Sequence, residues 1–140
     1  MRKILLMTFT VLILSVVGFG QAIENSGRST IGYIWNGTVE NKNRSTIGYI
    51  NENGTVENAS RSTIGYINKN GTVENASRST IGYINKNGTI ENASRSTIGY
   101  VNSNGTVENA SRSTIGYANN VSMEHTAAFF FFFFKQPDKK

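Results

Sequence analysis

A tandem array of short β-hairpin repeats, all-β throughout, is the architecture to expect from this sequence, and three features carry that expectation. The phrase Arg-Ser-Thr-Ile-Gly-Tyr begins at Arg28, Arg44, Arg61, Arg78, Arg95 and Arg112, spaced by 16 residues once and by 17 thereafter. Repetition at such a period marks a chain assembled from copies of one small structural unit. Within each copy, β-branched and aromatic residues alternate with Asn/Gly-rich turn segments, at spacings that do not suit a helix. The composition agrees: 14 Gly and 18 Asn against 16% charged residues fit a turn-dense β chain rather than a charge-rich solvating tail.

The chain opens on a leader. Arg2 and Lys3 precede an apolar run from Ile4 to Val17, followed by the small-residue stretch Gly18-Phe19-Gly20-Gln21-Ala22. This is the pattern of a secretory signal peptide, expected over residues 1–22 with cleavage after Ala22, or else after Gly20. A retained membrane anchor is the alternative, although the run falls short of the roughly 20 residues that span a bilayer. The mature protein is therefore expected to be secreted or periplasmic. Lacking cysteine, it is not a lipoprotein, and it has no disulfides, thiol nucleophile or cysteine-ligated zinc. Losing Arg2 and Lys3 lowers the formal charge from +5 to +3, too mild and too evenly spread to argue for nucleic acid.

The repeat domain is expected over residues 23–118. A second phrase, Asn-Gly-Thr-(Val/Ile)-Glu-Asn, starts at Asn36, Asn53, Asn70, Asn87 and Asn104, and Ile23-Glu24-Asn25 is its truncated sixth copy. Each unit thus reads as two short strands and two turns. If Asn68 to Gly71 make a four-residue loop, Tyr66 faces Val73 and shares a surface with Ile64. On that register Tyr33, Tyr49, Tyr66, Tyr83, Tyr100 and Tyr117, with Ile47, Ile64, Ile81 and Ile98, form the core, since a unit this small has little else with which to exclude water. A sugar-stacking platform is the other reading of the tyrosines. Glu57 and Arg61 flank Asn58-Ala59-Ser60 and read as an exposed ion pair, repeated at Glu74 with Arg78 and at Glu91 with Arg95. The eleven Asn-x-Ser/Thr triplets follow from turn chemistry, because Asn and Gly suit left-handed turn positions and Thr or Ser opens the next strand.

The C-terminal segment, residues 119–140, breaks the pattern. Glu124 to Ala128 suits a short helical turn, and Phe129, Phe130, Phe131, Phe132, Phe133 and Phe134 form an unbroken aromatic run. That run is too short to cross a membrane as a helix, so it is expected to pack on the ring, where each buried Phe is worth roughly 1.5–3 kcal/mol. Read as a strand, it would turn only about half its rings to the core, leaving the rest for a second cover such as another protomer. His125 is the sole histidine and has no partner set for catalysis. No phosphate loop or acidic calcium repeat is present. No catalytic residue, metal site or cofactor is expected.

With its leader, its tandem Ile-Gly-Tyr-Ile-Asn-x-Asn-Gly-Thr-Val-Glu-Asn phrases, and Ile115-Gly116-Tyr117-Ala118 leading to Ala-Ala and a phenylalanine run, the chain resembles the bacterial 5-fold β-flower proteins, a family best known from the Bacteroides group. The resemblance covers residues 23 to about 134. It implies hairpin petals around a pseudo-five-fold axis and carries no established activity. Five complete hairpins run from Arg28 to Asn109, and pairing of the two leftover strands would close the ring and remove its open edges. An open linear stack is the rival arrangement. The expected role is a non-enzymatic structural or interaction module. A carbohydrate or small-ligand binder using the rim or centre of the ring is the alternative, and anchoring to a membrane through the Phe run, or self-association, is a further one.

Overall fold

The computed structural model describes residues 20–135, so the expected leader lies largely outside the described residues. Twelve strands follow one another: β1 (Gln21–Asn25), β2 (Thr30–Trp35), β3 (Thr38–Asn41), β4 (Thr46–Ile50), β5 (Thr55–Asn58), β6 (Thr63–Ile67), β7 (Thr72–Asn75), β8 (Thr80–Ile84), β9 (Thr89–Asn92), β10 (Thr97–Val101), β11 (Thr106–Asn109) and β12 (Thr114–Tyr117). Each pairs antiparallel with its neighbours in sequence, and β1 pairs with β12, placing Glu24 opposite Tyr117 and Asn25 opposite Gly116. The result is a closed up-and-down barrel with no free edge. The two leftover strands do close the ring, and in doing so they make a sixth antiparallel pair without a connecting turn, so this ring has six repeating positions where a pseudo-five-fold axis was expected.

Two kinds of turn alternate around the barrel. At one end, Asn58 N–H donates to Ser62 O (2.9 Å) and Arg61 N–H to Asn58 O (3.0 Å), enclosing the three-residue loop Ala59-Ser60-Arg61. The Asn58 carboxamide oxygen accepts from Ser60 N–H and Ser62 N–H, both at 3.0 Å, and fixes the turn. At the other end, Asn68 N–H donates to Thr72 O and Gly71 N–H to Asn68 O, both at 2.9 Å, enclosing Lys69-Asn70-Gly71. Gly71 takes a left-handed φ of 87°, which costs glycine nothing. In the first hairpin the same end is closed by Asn36-Gly37 alone, with both φ values positive, a two-residue turn that absorbs the missing residue.

The Lys69-Asn70-Gly71 loop is one residue shorter than the four expected, and the difference reverses the faces. Ile67 pairs with Val73 and Tyr66 with Glu74, whereas a four-residue loop would have set Tyr66 opposite Val73. A slip of one residue moves every side chain to the other surface of a strand. Gly65, Ile67 and Val73 therefore point inward, and the tyrosine of every repeat lies half-buried on the outer face, which corrects the expectation that Tyr33, Tyr49, Tyr66, Tyr83, Tyr100 and Tyr117 form the core. Ile47, Ile64, Ile81 and Ile98 sit at bulges between successive strands, half-buried and packed against the core. Such a bulge in every repeat adds bend and twist, which helps the sheet curl shut.

Twelve strands make a wider lumen than the eight whose own side chains can fill it, and the inward residues here are mostly Val, Ile and Gly. The C-terminal segment fills the gap. After β12 the chain forms α1 (Met123–Ala127), capped by the Ser122 hydroxyl accepting from His125 N–H at 3.2 Å, and continues as a π-helical turn, Ala128–Phe132. The turn enters the barrel, and each ring lies at the glycine of a different Ile-Gly-Tyr strand. Phe129 lies at Gly32, Phe130 at Gly116, Phe131 at Gly99, Phe132 at Gly82, Phe133 at Gly65 and Phe134 at Gly48. A Cβ added at Gly82 would sit 2.5 Å from the Phe132 ring, and one at Gly116 would sit 2.6 Å from Phe130. Six glycines thus form six sockets for six rings. The tail lies within the ring, not on it, and being helical it sends its rings outward in all directions, so the strand-like half-and-half exposure does not arise. Phe129 is 1% exposed and Phe134 7%, while Phe130, Phe131, Phe132 and Phe133 are half-buried against the same core.

Candidate functional site: the loop rim and the outer belt

Around the outside of the barrel runs a belt in which one arrangement recurs six times. Arg61 adopts φ 65°, a left-handed conformation unusual for a residue with a side chain, and so do the equivalent arginines at 65–68°. From there Arg61 reaches back to Glu57 (Nη1 to Oε2, 3.1 Å) and lays its guanidinium 3.4 Å from the centre of the Tyr49 ring. The remaining pairs span 2.9–3.2 Å, and the stacks 3.4–3.5 Å, including Arg28 on Tyr117 across the closure. The Asn51 side-chain amide also donates to Glu57 Oε2 at 2.9 Å. This amide and then Arg61 hold the Glu57 carboxyl below its ordinary value, and Glu74, Glu91 and Glu108 are lowered in the same way. The belt is saturated with internal partners. An arginine already covers a face of each tyrosine, which leaves less of each ring open for a sugar to stack on.

The end of the barrel that carries the Asn-Gly loops is different. Here α1 lies across the mouth and breaks the six-fold repetition. An open cleft of about 840 Å³ forms between it and three adjacent loops, lined among others by Glu52, Lys69, Lys86, Met123 and His125, with Ile50, Ile67 and Ile84 also contributing. Two smaller recesses flank α1 at the same rim, one beside Ser103 and Asn104 and one beside Glu52 and His125. Burial pushes the His125 imidazole below its ordinary value, opposed by the neighbouring Glu124 carboxylate. Lys69 and Lys86 stand exposed at their loop tips and take part in none of the ion pairs among the described residues. Trp35, the last residue of β2 beside the shortened Asn36-Gly37 turn, is 48% exposed and is the exposed large hydrophobic of the described residues.

Comparing the repeats with one another would have found this rim. The four 17-residue units starting at Arg44, Arg61, Arg78 and Arg95 differ at three positions. Two of these exchange Ile for Val, and the third, the loop tip, holds Glu52, Lys69, Lys86 and Ser103. The first repeat places Trp35 beside the same rim. The expected core residues lie in the wall and lumen, away from this surface, and no cluster that could hold a metal ion occurs among the described residues.

A closed ring of repeated hairpins with a saturated wall and one variable rim is the design of a scaffold whose loops carry its individuality. The chain belongs to the 5-fold beta-flower protein family, which it matches over residues 20–135. This is a family of unknown function and not a known enzyme family. Neither the curated proteins nor the solved structures contain a significant match.

Proposed function

We propose that the protein is exported and acts without catalysis, as a rigid interaction module whose Asn-Gly rim is the face presented to a partner. One observation carries this reading: across otherwise near-identical repeats, chemistry changes at the loop tip, and those tips surround the cleft beside α1. Elsewhere the repeated Ile, Val, Gly, Asn, Glu, Arg and Tyr positions have structural duties as core, socket, turn cap or stacked pair, so variation there would cost stability. A variant with uniform tips, Glu52→Ser/Lys69→Ser/Lys86→Ser, tests the reading. It is expected to melt as the parent does and to lose the partners that the parent retains in a pull-down from its native extracellular milieu. Capture of the same partners by both proteins would refute a rim-directed role.

Export is supported by the leader and sharpened by β1. Cleavage after Ala22 would remove Gln21 and Ala22, which pair with Ile34 and Tyr33, whereas cleavage after Gly20 leaves β1 whole. N-terminal sequencing of the mature protein is therefore expected to begin at Gln21. Membrane anchoring through the Phe run finds no support, because those rings occupy the glycine sockets inside the barrel.

A further inference from the structure

We infer that Asn36 is a self-modifying site, at which the chain converts its own asparagine to aspartate or isoaspartate ahead of four matching asparagines. The dipeptide Asn-Gly occurs five times, at Asn36, Asn53, Asn70, Asn87 and Asn104. It is the pair most open to this chemistry, because glycine has no side chain to hinder the approach of its nitrogen to the preceding carboxamide. The Gly37 nitrogen forms a bond to Asn36 Cγ and gives up its proton, while the Cγ–Nδ2 bond breaks and ammonia leaves with that proton. One water molecule then opens the resulting five-membered imide, giving aspartate where the Gly37 nitrogen parts from Cγ and isoaspartate where it parts from the main-chain carbonyl carbon. For the attack, the Asn-Gly peptide must swing out of its turn, so the bonds that hold the turn set the rate. In the second hairpin Gly54 N–H donates to Asn51 O at 2.9 Å, and the Asn53 carboxamide oxygen accepts from Thr55 N–H at 3.0 Å. The pairs at Asn70, Asn87 and Asn104 are held in the same way. The shortened first turn has neither bond: among the described residues, the Asn36 carboxamide and Gly37 N–H have no hydrogen-bond partner. Asn36 is also exposed to water, and it borders the small recess shared by Glu52 and His125. The reaction therefore adds one negative charge to the rim at the first hairpin, with no enzyme or partner required.

The test incubates the folded full-length protein at neutral pH and follows each Asn-Gly pair by tryptic peptide mapping. Cleavage after Lys and Arg puts the five pairs on five peptides of different sequence, so each is read separately. The peptide holding Asn36 is expected to gain the mass of an amide-to-acid exchange, split between aspartate and isoaspartate forms. Two hydrogen bonds must break in the other four loops and are absent from the first, so its conversion should run at least about tenfold faster than theirs. The same protein incubated in concentrated guanidinium is the control. There the turns are gone, and the five pairs should react at similar rates. Equal rates at all five pairs in the folded protein would overturn the inference. So would an Asn36 that stays intact in the folded protein while the denatured chain reacts. A lead for Asn36 that persists undiminished in denaturant would place its cause in the neighbouring sequence and overturn the role of the turn.

Discussion

At the residue scale, the repeated arginine is the least expected choice. A left-handed backbone costs a residue with a Cβ about 1–2 kcal/mol, and Gly or Asn usually occupies this position of a three-residue hairpin loop. Arginine is held there by what its side chain reaches, a glutamate on the strand that leads into its loop and a tyrosine on the strand before that. Both contacts are partly exposed, and a stack of this kind is worth about 0.5–1 kcal/mol. Arg61→Ala loses the contacts and keeps the strain, whereas Arg61→Gly loses the contacts and relieves it. Urea denaturation is therefore expected to find the glycine variant more stable than the alanine variant by about 1 kcal/mol; equal stabilities would mean that the φ of 65° carries no strain. The spacing of Glu57 and Arg61 made their pairing legible, but the tyrosine was not, because a loop counted one residue too long turned it inward. Acid should act in two windows. His125 is lowered from 6.5 by burial, so the unfolded chain binds its proton first, and the stability present above pH 6.5 declines as pH falls below it. Glu57, Glu74, Glu91 and Glu108 are lowered from 4.5, so their contribution is present above pH 4.5 and is lost as pH falls through their depressed values. Melting temperatures from pH 8 to 3 should show both declines, with His125→Gln flattening the upper and Glu74→Gln reducing the lower. A variant that leaves its own window unchanged would contradict the assignment.

At the element scale, the π-helical turn answers a geometric problem. Six sockets around a ring are about 60° apart, while an α-helix at 3.6 residues per turn advances about 100° per residue. Widening the helix to an i→i+5 hydrogen bond, as in Phe133 N–H to Ala128 O at 2.9 Å, lowers the step toward what six adjacent rings need. Truncation should then follow burial. Phe129→Ala is expected to cost about 3–5 kcal/mol, as at a fully buried site, and Phe131→Ala measurably less. Chemical denaturation reads both; a Phe131 cost equal to that of Phe129 would show that the rings are more uniformly enclosed than their exposures indicate. The conformation of this segment was hidden in the sequence for a physical reason. A run of one residue type has no periodicity, and periodicity is what separates helix from strand. The signal that was present was numerical, six rings for six Ile-Gly-Tyr glycines.

At the scale of the whole molecule, the ring and its plug specify each other. Near-identical β repeats invite edge-to-edge assembly, and closure of β1 on β12 removes the edges. Repeat length, turn positions and the pairing of the two leftover strands were all legible, since each follows from local chemistry at a fixed period. The rotational order was not, because the sixth antiparallel pair is split between the chain ends and its strands read as remnants. Stave number and ring number should be coupled. The most direct test removes one repeat, residues 61–77, or one phenylalanine, Phe131, or both together, and compares the melting temperatures of the three proteins with that of the parent. One ring per glycine predicts that either single deletion is strongly destabilising and that the double deletion, with five rings for five sockets, is more stable than either. A double deletion no better than the sum of its parts would contradict it.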